Sequence, residues 1–217
     1  GDDNTYDNYS GSAGVPIGNH WQRIAAAIYL ADPRLLNTGA LTEESKLLLR
    51  RDVKERVRTI APFLTLMGEP YLVSVPLEES ATGYEKDQHQ YWIVDGFTTS
   101  RTVPYAATLP DGRPLRYLRN SVKAIVDAYN GTVHLYINEP SDPIIQGWAN
   151  LFPQLFETLD SMPANLRAHM MVPQAQFELQ VQQLLRYHVT SPRIFYSGDD
   201  VWQVPLELYG EKQIPVS

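Results

Sequence analysis

The chain has no cysteine among its 217 residues. That excludes disulfides, thiol nucleophiles, thiolate zinc sites and iron–sulfur clusters together. It leaves the compartment open, because a chain of this size needs no covalent staples. Surplus positive charge is also missing: 18 Lys+Arg stand against 25 Asp+Glu, a net charge of −7. Phosphate recognition needs a basic footprint, so no nucleic-acid partner is expected. No uncharged apolar run reaches the roughly 18–20 residues that cross a membrane as a helix. HExxH, G-x-S-x-G, P-loop and G-x-G-x-x-G motifs are all absent, which removes the common metalloprotease, nucleophile-elbow and nucleotide signatures. No cofactor is implied.

What is present is the composition of a folded chain. Hydrophobic residues make up 43% and charged residues 20%, enough apolar material for one core. The chain opens Gly1-Asp2-Asp3, with no Met, basic n-region or apolar h-region. It reads as a piece cut from something larger, carrying no signal peptide. Residues 1–18, rich in Gly, Ser, Asn and Asp, read as a flexible arm. Residues 19–217 read as one domain.

Hydrophobic spacing predicts the elements. Trp21, Ile24, Ala25 and Ile28 form a helical stripe that Asp32-Pro33 ends. Thr42 reads as the N-cap of a second helix, in which Leu49, Val53, Val57, Ile60 and Leu64 recur at helical spacing, up to a break near Pro62. Its outer face carries Lys46, Arg50, Arg51, Lys54 and Arg58. This face reads first as solvated and laced with ion pairs, and secondarily as a surface for anionic lipid headgroups. Strands are predicted at 71–75 and 91–97, with 78–90 as a loop. A hairpin follows: 121–129 and 132–137 alternate around Asn130-Gly131, the expected pair for a type I′ turn. Val122, Ala124, Val126 and Ala128 share one face opposite Val133, Leu135 and Ile137. Helices return at 143–159, broken at Pro153, and at 164–170 and 173–188. The last carries Phe177, Val181, Leu184 and Leu185 as its stripe. From Ser191 the tail alternates Pro, aromatics and acids and ends as an extended segment at Ser217. The class is therefore α+β: an antiparallel sheet of about four strands with a central β-hairpin, flanked by N-terminal and C-terminal helices.

Candidate chemistry is sparse. The five histidines, His20, His89, His134, His169 and His188, show no i, i+4 metal spacing. His134 stands across the turn from Asp127 and Tyr129. A His/Asp pair there would bind a metal or shuttle a proton, although an exposed cross-strand pair is the commoner use. Asp199-Asp200 after Ser197-Gly198 offers oxygen ligands on a turn, or an ordinary cap. No metal site is assigned. Asp95, Asp127, Asp199 and Asp200 are the carboxylates from which a hydrolase would draw a pair. Asn8-Tyr9-Ser10 and Asn130-Gly131-Thr132 match the glycosylation sequon. Tyr84, Tyr91, Trp92, Tyr105 and Tyr117 gather around the strand region, as sheet packing or as an aromatic platform for a glycan or protein.

Several long stretches, in order, carry a resemblance. They are RRDVKERVRTIAPFLT (50–65), YWIVDGFTTSRTVPYA (91–106), YLRNSVKAIVDAYNGTVHLYI (117–137), PIIQGWANLFPQLFETLDSMPANLRAHMMVP (143–173) and FYSGDDVWQVP (195–205). Together, from about Gly14 to Ser217, the chain resembles a family of large, uncharacterised, multi-pass membrane proteins of cyanobacteria and actinobacteria. ESATGYEKDQH and TLPDGRP depart from the family pattern as altered loops. The resemblance implies a bundle of membrane helices in the parent, followed by a large outward-facing soluble region to whose first part this chain corresponds. It implies no activity and transfers no catalytic residue.

The expectation is a non-catalytic extracytoplasmic module that binds a protein partner or an envelope polymer. A hydrolase acting on an envelope glycan or peptide, and a scaffold for membrane helices, are the alternatives. An apolar surface that the parent covers would let this piece self-associate.

Overall fold

The computed structural model describes residues 9, 11–39, 41–76, 88–104, 116–200, 202–203, 206–209 and 212–215. The elements, in chain order, are β1 (Val15–Pro16), α1 (His20–Leu30), α2 (Arg34–Asn37), β2 (Lys46–Leu47), α3 (Val53–Ile60), β3 (Thr65–Leu66), β4 (Tyr71–Pro76), β5 (Gln88–Ser100), β6 (Tyr117–Asp127), β7 (Val133–Ile137), α4 (Pro143–Leu151), β8 (Glu157–Thr158), α5 (Ala164–Arg167), α6 (Gln174–Tyr187), α7 (Pro192–Ser197), β9 (Leu206–Tyr209) and β10 (Lys212–Pro215). The mixed α+β class stands. Contacts divide the chain into two units, residues 1–98 with 120–170, and residues 99–119 with 171–217.

The central sheet has six strands rather than about four, in the order β3-β5-β6-β7-β8, with β4 also paired to β5. The four long strands overlap the predicted runs, but β5 begins at Gln88, inside the expected 78–90 loop, and β6 runs from Tyr117 to Asp127. The two extra strands, β3 and β8, are two-residue pairings with no periodic signal of their own. The β3–β5, β4–β5 and β6–β7 pairings are antiparallel, and β7–β8 is parallel. In the hairpin, Val122 faces Ile137, Ala124 faces Leu135 and Val126 faces Val133, the predicted apolar face.

The turn itself differs from a type I′ turn. Gly131 has a φ of +68°, but Asn130 is not among the residues with positive φ. The strands end at Asp127 and restart at Val133, giving a wider loop. Its organiser is Asp127, whose Oδ1 accepts from the N–H groups of Tyr129 (2.8 Å) and Asn130 (2.6 Å). An Asp side chain that captures nearby backbone donors competes with the tight two-residue turn. Arg56 then donates to the Gly131 carbonyl at 2.7 Å. A Cβ at Gly131 would stand 2.5 Å from that guanidinium, so the glycine also makes room for Arg56.

The second helix begins eleven residues after Thr42, at Val53. Asp52 is its N-cap, accepting from the Glu55 N–H at 2.7 Å. Thr42 and Ser45 bond each other in a turn. Lys46–Leu47 pairs with Val15–Pro16 as a small antiparallel sheet, and Arg50 sits at φ +50°. Arg56 also takes the carbonyls of Leu49 and Arg50, fixing the approach to α3 as a non-helical loop. The expected basic helix face is thereby dispersed: Lys46 lies on β2 and donates to the Gly11 carbonyl at 2.7 Å. Lys54 pairs with Glu69 at 2.7 Å.

Helix α1 forms where expected but is rotated. Trp21 is 79% and Ile28 76% exposed, while Ala26 and Ala27 are buried. Arg23 sets that rotation by donating to the carbonyls of Ile17, Gly18 and Leu41. The Asn19–Gln22 capping box starts the helix. Likewise Phe177 and Leu184, on the predicted stripe of α6, are exposed. The tail after Ser191 holds α7, where no helix was expected, and then the extended β9–β10 antiparallel pair.

Apolar side chains pack both faces of the central sheet. On one, Val94, Val122, Ala124, Val126 and Leu135 meet Val57 and Ala61 at the end of α3 and Ile145 of α4. On the other, Val73, Val75, Ile93, Ile125 and Tyr136 meet Met162 and Leu166. The sheet is thus clad by α3 and α4 on one side and by α5 on the other.

Candidate functional site

The first cluster continues outward into a groove. Helix α3 turns Val57 inward and Ile60 outward. Ala61 is fully buried, Pro62 halts the helix, and Phe63 is delivered beside it. Helix α4 is capped by Asp142, whose Oδ1 accepts from the Ile144 N–H at 3.0 Å, with Pro143 in the first turn. That proline costs nothing there, because its missing N–H would have had no helical partner. The Asp142 carboxylate is fully buried, and its other oxygen accepts from Thr98 and Ser121 Oγ atoms, both at 2.5 Å. This anchoring fixes Ile145 inside and presents Trp148, Leu151 and Phe152 outward.

Three rings then stack in series. Phe63 and Trp148 have centroids 4.1 Å apart and planes 13° apart. Trp148 and Phe152 are 6.1 Å apart with planes 9° apart. Between α3 and α4 these rings, with Ile60, Leu151 and Leu155, line an open groove of about 820 Å³. Leu151 is 64% exposed and Phe152 44%. No charged side chain among the described residues lines it. Sequence reasoning placed these residues in helices but missed the groove. The run Trp148-Ala149-Asn150-Leu151-Phe152, more apolar than one buried face requires, was the available signal.

The carboxylates named from the sequence occupy separate settings. Asp127 pairs with His89, Nε2 to Oδ2 at 2.8 Å, and His134 pairs instead with Glu157 at 2.7 Å. Asp127 and His134 thus take different partners. His89 arrives because β5 and β6 are neighbours and β5 begins earlier than its apolar run suggested. Burial pushes the Asp127 pKa up, but the Asn130 N–H, the His89 ring and the Tyr129 N–H outweigh it. The carboxyl is held below its ordinary range. Burial, and then the Asp127 charge, push the Tyr91 phenol up.

Asp95 is held by Lys123, almost fully buried, and by Asn120 Nδ2 at 3.0 Å. In the other unit, Asp199 accepts from Ser197 Oγ at 2.7 Å, and Asp200 lies 3.7 Å from His188 Nε2. The His188 ring stacks on Trp202 with centroids 4.0 Å apart. No group of three or more His, Cys, Asp or Glu able to hold a metal occurs among the described residues. Tyr84, Tyr105, and Asn8 and Ser10 of the first sequon lie outside the described residues, as do the two departing loops except Gln88 and His89 at the start of β5.

All 217 residues match the family model described as Uncharacterised protein family (UPF0182). The chain belongs to this family. A UPF0182 protein of Synechococcus sp. (strain CC9311) is 70% identical across the whole chain, which covers 23% of that relative. One from Prochlorococcus marinus (strain MIT 9313) is 67% identical over 216 residues, 23% of its length. One from Nostoc sp. (strain PCC 7120) is 44% identical over 216 residues, 21% of its length. The chain thus spans less than a quarter of the length of these UPF0182 relatives. No solved structure matches it. No described helix is long and apolar enough to cross a membrane.

Proposed function

We propose that this region is a non-catalytic docking module of a longer UPF0182 protein, working outside the cytoplasm, with the α3–α4 groove as its binding surface. The groove carries the proposal. Stacked, partly exposed aromatics with no charge around them are what a binding surface offers and what a solvated surface avoids. Its volume lies within the range of ligand-holding clefts, roughly 300–1,000 Å³.

The hydrolase reading finds less support. It needs two carboxylates facing one substrate, about 5–9 Å apart across the scissile bond. Asp95 is instead neutralised by Lys123, and Asp127 is hydrogen-bonded to His89 and to two backbone N–H groups. Both are already committed to holding the sheet and its loop.

The test pairs a groove variant with a carboxylate variant. The apolar dye bis-ANS should bind the native protein and lose most of its fluorescence with Leu151→Lys. Asp199→Asn should leave that signal in place. Release of reducing ends from peptidoglycan, abolished by Asp199→Asn and untouched by Leu151→Lys, would overturn the module reading in favour of an enzyme.

A further inference from the structure

The groove needs an occupant, and two observations specify its chemistry. Its lining offers Ile60, Phe63, Trp148, Leu151, Phe152 and Leu155, with no charged side chain among the described residues. Thr59 and Gln154 are its polar members and neither carries a charge, so a charged partner would lose hydration there without a counter-charge, and an apolar face fits best. An open groove between two helices, about 820 Å³ in volume, takes a short row of bulky side chains. An amphipathic helix supplies such a row at i, i+3/i+4 and i+7. The second observation is length: the 217 residues cover 23% of the Synechococcus relative, so more than three quarters of such a polypeptide lies outside this chain.

We infer that the groove is filled within the same molecule, by the apolar face of a helix from the remaining part of the UPF0182 polypeptide. This rests on the docking-module reading and names its partner. An intramolecular occupant is present at high effective concentration, so even modest contact area holds it. It also explains how a protein carries Leu151 and Phe152 this exposed: in the full polypeptide they are covered.

The absence of cysteine gives a clean test. Leu151→Cys and Ile60→Cys are made singly in the full-length polypeptide and in the 217-residue chain. Labelling by a maleimide is timed in each, normalised to labelling in urea. The inference expects labelling at least tenfold slower in the full-length protein, unchanged by dilution. Equal rates in the two proteins overturn it. Protection that disappears on dilution, together with a dimer mass by light scattering, overturns it in favour of a second copy. Protection that requires added phosphatidylglycerol vesicles overturns it in favour of lipid. The underlying reading is separated by bis-ANS. If rates are equal and the full-length protein still binds the dye at Leu151, the groove stands and its partner lies outside the molecule. Equal rates with no dye binding remove both.

Discussion

The two faces of the central sheet solve different problems. The α3–α4 face is apolar from Val94 to Ile145, and its hydrophobic character continues past the core into the open groove. The opposite face mixes Ile93, Ile125 and Tyr136 with a buried ion pair, Asp95–Lys123, and ends at the His89–Asp127 pair. Lys123 sits directly across from Tyr136 in the β6–β7 register, so charge is built into that face. There the charged side chains Asp95 and Lys123 pair with each other, and Asp127 pairs with His89. On the first face apolar surface exceeds what the sheet can cover. The exposed apolar surface therefore lies on the first face, while Asp95, Lys123, His89 and Asp127 bond to one another.

The comparison breaks most visibly at the ion pair. Asp95→Ala leaves the Lys123 ammonium in a nearly closed site without its carboxylate, which should cost about 3–5 kcal/mol. The joint change Asp95→Leu with Lys123→Met should recover most of that, because an apolar pair removes both desolvation penalties. Urea unfolding of the three variants checks it; a double variant no better than the single one would mean the pair does more than neutralise itself. On the other face, Leu135→Ala removes a fully buried side chain, and a loss of about 2–4 kcal/mol in the same assay is expected.

Asp127→Ala should cost about 1–2 kcal/mol at pH 7 by releasing the Tyr129 and Asn130 N–H groups and His89. The sign of its pH dependence follows from the lowered folded-state pKa. The stabilisation is fully present above the ordinary value of 3.8 and is lost as pH falls through the lower folded value. The stability gap between native protein and Asp127→Ala should therefore narrow as pH falls below 3.8. A gap that widens below pH 3.8 would contradict the assignment. The smallest effect belongs to Leu151→Asp, within about 0.5 kcal/mol in this chain, since exposed positions contribute little to folding. A loss comparable to Leu135→Ala would show that the groove is core rather than binding surface.

How much of this was legible in the sequence follows from which forces are local. The β6–β7 register was readable because alternation of Val122, Ala124 and Val126 against Val133, Leu135 and Ile137 leaves one way to bury a face. Helices α4 and α6 were readable from Pro143, Pro173 and their spacing. What failed involved side chains reaching across sequence. Arg56 spans 75 residues to Gly131, and its bonds to Leu49 and Arg50 hold open a stretch whose spacing mimics a helix. Arg23 rotates α1 so that the small Ala26 and Ala27 go inward and the larger Trp21 and Ile28 go out. The His89–Asp127 pair spans 38 residues and follows from strand order, which no local pattern encodes. The carboxylates are therefore legible as residues, while their partners are not. The groove was missed because a stripe of hydrophobics looks the same whether core or partner covers it.

Hydrogen–deuterium exchange through residues 59–63 and 148–155 tests the central claim most directly, compared between this chain and the full-length UPF0182 polypeptide. Covering the groove predicts markedly slower exchange there in the full-length protein, with β6 and β7 exchanging equally slowly in both. Identical exchange across 148–155 in the two proteins would contradict the claim that the apolar face exists to hold another part of the molecule.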